Sequence, residues 1–106
     1  VDEKQTLSHA RALRILAFGV SCLKVPKPGI SRKKAPKSLE KELESFRLPL
    51  TIAKDDPKVG ELAANRLEVL DHMLRYLKTG EAKYYREAER VWAIGDRIAR
   101  AVNTND

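Results

Sequence analysis

Between Glu81 and Val102 the apolar residues recur at alternating spacings of four and three: Tyr84, Ala88, Val91, Gly95, Ile98 and Val102. At about 100° per residue these positions share one line of a helix, the pattern of an element packed along a seam. Tyr85, Trp92 and Ala99 widen that face on one side. On the other side of the wheel, Lys83, Arg86, Arg90, Arg97 and Arg100 fall within an arc of about 100° that holds no acid. Glu87, Glu89 and Asp96 sit at its edges, so Glu87–Arg90 and Asp96–Arg100 are expected pairs along the helix surface.

A second long helix is signalled by Asp55-Asp56-Pro57, an acidic N-cap followed by proline at the first helical position, and it ends at Thr79 before Gly80. Val59, Ala63, Leu67, Leu70, Leu74 and Leu77 form its buried stripe, with Leu62, Val69 and Met73 alongside and Asp71–Arg75 as an exposed pair. The tight break at Thr79-Gly80 makes the two long helices an antiparallel αα-hairpin. Upstream, residues 5–24 read as a helix with two apolar stripes. One is Leu13, Leu16, Val20 and Leu23; the other, on nearly the opposite side, is Leu7, Ile15, Phe18 and Cys22, with Ser21 on the wet edge between them. A helix apolar on two sides is normally covered on both. Ile15, Phe18 and Cys22 are therefore the candidate contact with a second copy of the chain, which would make a dimer. Ser38 can cap a short helix carrying Leu39, Leu43 and Phe46, and Leu48-Pro49-Leu50-Thr51-Ile52 alternates like an extended packing strap. The fold class is therefore all-α: a single domain over residues 1–106, built as a small bundle of three main helices plus one short helix on the C-terminal hairpin.

Charge changes this picture at one place. Residues 24–38 alone carry a net charge of +6, which equals the total for the whole chain. The high isoelectric point thus describes a Pro/Lys-rich connection over residues 24–37, with Arg32, Lys33 and Lys34 at its middle and no aromatic residue for base stacking. The run Ile15–Leu23 has the look of a secretory apolar segment, yet Asp2 and Glu3 break the basic leader and the run is too short to span a bilayer. It is read as a core helix of a protein with no membrane role. A single cysteine excludes an intramolecular disulfide and fits a reducing, cytoplasmic setting.

Catalytic templates are missing. The histidines, His9 and His72, form no cluster with cysteine, Glu68 and His72 stand at i,i+4 where a di-iron helix needs i,i+3, and no glycine-rich phosphate loop is present. Neither catalysis nor a metal, cofactor or small-molecule substrate is expected. Arg66 lies inside the apolar stripe of its helix. A buried unpaired guanidinium is very costly, so it snorkels out to solvent, pairs with an acid from a neighbouring segment, or points into a pocket or subunit interface that awaits an anion. The reading that follows is a small basic binding protein that contacts DNA or RNA backbone through Arg32, Lys33 and Lys34 of the arm and Lys83, Arg86, Arg90, Arg97 and Arg100 of the last helix. The alternative is a homo-oligomeric protein-interaction module without a nucleic-acid role.

Overall fold

The computed structural model describes residues 16–29, 37–57 and 59–104. Residues 16–22 are helical and are called α1. Four further helices follow: α2 (Lys37–Glu44), α3 (Arg47–Ala53), α4 (Gly60–Thr79) and α5 (Ala82–Thr104). No strand occurs among the described residues. The architecture is an all-α bundle built on a hairpin of the two long helices.

The hairpin closes as the sequence implies. Gly80 adopts φ 73°, a left-handed conformation that glycine reaches at no steric cost, and its N–H donates to Tyr76 O at 2.7 Å. Beyond the turn α4 and α5 run antiparallel. Tyr76 meets Tyr85 edge-on near the turn, with centroids 5.2 Å apart, and Asn65 Nδ2 donates to Val91 O at 2.7 Å farther down. Between them lie Val69, Leu70, Met73, Ala88 and Val91, all buried. At its other end α4 is prepared by Asp56, whose Oδ1 accepts the N–H of Val59 at 3.2 Å and whose backbone oxygen accepts that of Gly60 at 2.8 Å. The start differs from the expectation: the N-cap is Val59, without a side-chain cap, and regular α-helix begins at Gly60, three residues after Pro57, so Asp56 braces the turn that leads into the helix and does not cap it.

The strap is a helix instead. Arg47–Ala53 coils as α3, making two short helices where one was expected. Pro49 is the third residue of α3, within the first turn, where the backbone N–H has no intrahelical partner to lose. Leu50 N–H reaches Phe46 O at 3.0 Å, and Thr51 Oγ1 donates to Arg47 O at 2.7 Å. Leu50 and Ala53 are buried while Leu48 and Ile52 are exposed, a helical rather than an alternating partition.

The orientation of α1 also corrects the sequence reading. Phe18 is fully buried, edge-on to Phe46 at 5.7 Å and 6.2 Å from the Trp92 ring, and Cys22 and Val25 are buried behind it. Phe18 and Cys22 are therefore core residues of one chain and not the contact with a second copy; Ile15 lies outside the described residues. The face turned to solvent is the other stripe, with Leu16 66% exposed, Val20 61% and Leu23 85%. Ser21, expected at the wet edge, is buried, with Oγ 3.4 Å from Glu42 Oε1, and Lys24 pairs with the same carboxylate at 3.2 Å. Tyr76 Oη donates to Pro26 O at 3.0 Å and ties the chain leaving α1 to the hairpin.

Gly95 of α5 faces Asn65 and Arg66 of α4, and a Cβ there would overlap Asn65 Oδ1 and Arg66 Nη1. Gly95→Ala gains roughly 1 kcal/mol of helix propensity. It must also displace two hydrogen-bonded buried groups, at about 1–3 kcal/mol for overpacking plus about 1–3 kcal/mol for each group left unsatisfied. The second effect wins: the variant should unfold at lower urea concentration than the wild-type chain, although propensity alone predicts the reverse.

Candidate functional site

On α5 the apolar and cationic positions separate as the sequence pattern implies. Tyr85, Ala88 and Val91 are buried against α4, and Lys83, Arg86, Arg90, Arg97 and Arg100 are all exposed. Among them, Lys83 Nζ is 3.2 Å from Glu81 Oε2, and the Arg90 guanidinium holds Glu87, with Nε 3.0 Å from Oε1. That guanidinium keeps the Glu87 carboxyl below the usual carboxylate range. Arg86 and Arg97 have no ion-pair partner among the described residues. Arg32, Lys33 and Lys34 of the connection lie outside the described residues.

Arg66 does not open onto an anion pocket. Its guanidinium lies 3.6 Å from the Trp92 ring centroid, an attraction of cation for aromatic face. Nη1 donates to Asn65 Oδ1 at 3.1 Å and to Trp92 O at 3.3 Å, and Nη2 donates to Asp96 Oδ1 at 3.3 Å. Burial lowers the pKa of the guanidinium and Asp96 opposes that shift; Nε finds no acceptor. Arg66 is thus a buried cation between α4 and α5, held by the exposed carboxylate of Asp96 from the neighbouring helix. Cys22 belongs to the same neighbourhood: burial pushes its thiol up to about 12, against the pull of the Arg66 charge.

A second concentration of cations was not visible in the sequence. Where α2 and α3 pack on α4, an open groove of about 900 Å³ is lined by Lys37 and Lys41 from α2 and by Arg75 and Lys78 from α4. Across it Arg47 bridges two acids, with Nε 2.6 Å from Glu44 Oε1 and Nη2 3.0 Å from Asp71 Oδ1. Asp71 was expected to pair with Arg75 one turn along its own helix; its ion pair is instead with Arg47. Lys37/Lys41 at i,i+4 and Arg75/Lys78 at i,i+3 are rows that any polar helix face might carry. Only the packing of α2 beside α4 makes them one surface.

His72 is half-buried with Nδ1 unpartnered, and among the described residues no group of three or more His, Cys, Asp or Glu side chains is placed to hold a metal ion. No helix among the described residues is long and apolar enough to cross a membrane. No family model matches the chain, and no match was found among curated proteins or solved structures.

The displaced pKa of Cys22 has a consequence for stability. In the unfolded chain the thiol ionises near 9.0, while in the fold it keeps its proton to about 12. Between these values the folded state binds more proton, so stability is complete below pH 9 and falls as pH rises towards 12. The slope from this group is at most about 1.4 kcal/mol per pH unit. Urea midpoints measured at neutral pH and just above pH 9 should therefore converge in Cys22→Ala and diverge in the wild-type chain.

Proposed function

We propose that this chain is a non-enzymatic binding protein that contacts nucleic-acid backbone through the outer face of α5, with the basic connection over residues 24–37 as a second contact. The observation that carries this reading is the pair Arg86 and Arg97, exposed on one face and without ion-pair partners among the described residues. Eleven residues apart, they stand close to the same line of the helix, about 16 Å along its axis. A cation without a structural partner gives up nothing when it is handed to a phosphate. Lys83 and Arg90 would surrender only exposed pairs, each contributing about 0–1 kcal/mol. Cations along one helix face can displace counterions from a duplex, and release of those ions drives association. The face offers no Asn or Gln to read a base edge, so binding is to backbone and tolerant of sequence.

A second reading, a homo-oligomeric helical module, is favoured by the exposed stripe Leu16, Val20 and Leu23. In that reading the surface between copies is this stripe, and Phe18 and Cys22 stay in the core.

Titration of a DNA duplex at several salt concentrations separates the two. Arg86→Gln and Arg97→Gln should each reduce the slope of log K against log salt by about one, equally for unrelated sequences, and leave the melting temperature in place. Trp92→Ala should do the opposite, costing about 3–5 kcal/mol of stability by emptying the space against Phe18 and Arg66. An unchanged salt slope in both arginine variants, with sedimentation showing a dimer broken by Val20→Lys, would replace the first reading with the second.

A further inference from the structure

We propose that the groove between α2, α3 and α4 is a binding site for a chain of phosphates, separate from the face of α5. The lining separates into parts with different roles. Arg47 engages both Glu44 and Asp71, one guanidinium shared between two of the three acids on the surface. Glu40 is the third. Lys37, Lys41, Arg75 and Lys78 are exposed and have no ion-pair partner among the described residues. Five cations against three acids leave a formal surplus of two positive charges, on exposed side chains of which Lys78 also acts electrostatically on Glu44.

The arrangement selects the kind of anion. Lys37 and Lys41 are one helical turn apart, about 6 Å along α2, and Arg75 and Lys78 are about 4.5 Å apart along α4. Cations set in two rows along a groove match a linear series of charges; a lone phosphate or carboxylate needs donors that converge on one point. The groove, about 900 Å³ and open to solvent, is far larger than a single small ion needs. The composition excludes a peptide ligand. Apart from Leu74, nearly buried at the base, every lining residue is charged. An acidic peptide would find no pocket for a side chain to fill, and filled pockets carry most of the energy of peptide recognition. A phosphate chain asks for none. With no aromatic residue in the lining, a nucleic acid would be held by its backbone alone, as a linear polyphosphate would be.

The test uses the full chain, with titrations of a labelled single-stranded oligothymidylate, of linear inorganic polyphosphate and of orthophosphate, each at several salt concentrations. The variants are Lys41→Gln/Lys78→Gln in the groove and Arg86→Gln/Arg97→Gln on α5, all at exposed positions, with equal thermal melts as the check on folding. The groove variant should weaken oligothymidylate and polyphosphate at least tenfold at low salt. It should also flatten the salt slope for the oligonucleotide by about 0.7 for each phosphate contact removed. Orthophosphate should bind far more weakly than either chain. Loss of polyphosphate alone would assign the groove to the free polymer; loss of both leaves it open to either source. Unchanged binding of both polymers in the groove variant, or wild-type chain that binds neither, would overturn the proposal. If only the α5 variant loses the oligonucleotide, the groove proposal falls while the reading of α5 stands. The converse result would retain the groove and remove α5.

Discussion

A guanidinium has to be accommodated where α4 meets α5, and the spacing of the hairpin follows from how Arg66 is held. A charge taken out of water without partners costs several kcal/mol or more. Arg66 is 5% exposed, so its neighbours must replace the lost hydration. They do so from both helices: Asn65 from α4, and the Trp92 ring, the Trp92 carbonyl and the Asp96 carboxylate from α5. Asn65 also donates to the carbonyl of Val91, so the same cluster ties the helix backbones together. None of this fits unless α5 presents no side chain at the point of contact, which is why Gly95 stands in the middle of an otherwise ordinary helix face. The cluster specifies register. Slipping one helix against the other by a turn would leave the charge against apolar side chains.

That register positions Trp92, and Trp92 positions α1. Its ring carries Arg66 near one partner and Phe18 and Gly19 near another, so polar and apolar packing share one side chain. Phe18 then reaches Phe46 and brings the link between α2 and α3 onto the hairpin. The buried face of α1 is thereby determined by aromatic contacts, and the aliphatic stripe of Leu16, Val20 and Leu23 is left outside.

The charges of the molecule divide between those that hold the fold and those that remain available. Arg66, Arg47, Arg90 and Lys24 each have an acid within hydrogen-bond distance. Arg86 and Arg97 on α5, and the four cations beside Arg47, have none among the described residues. Both surplus surfaces lie on the hairpin or against it, so its geometry sets their spacing.

Much of the hairpin was legible in the residues. The four-and-three spacing on α5 and the Gly80 stop are local rules, satisfied within one or two turns of chain, and the structure obeys them; the start signalled by Asp55-Asp56-Pro57 was displaced by three residues to Gly60. The outward cations of α5 could be named for the same reason, since a single helix decides which of its faces is apolar. Local pattern could not choose between the two apolar stripes of α1, because both satisfy the same periodicity. The choice was made by Trp92 and Phe46, which come from distant parts of the chain. The alternation across Leu48–Ile52 was equally ambiguous, and α3 formed because Leu50 and Ala53, three residues apart, could both face the core. Arg66 was recognisable as a problem from its position, but its solution needed an acid thirty residues away, and the groove cations needed α2 laid beside α4. Sequence determines which faces must be buried or wetted; the contact between distant helices decides which partner covers each one, and therefore which charges are left over.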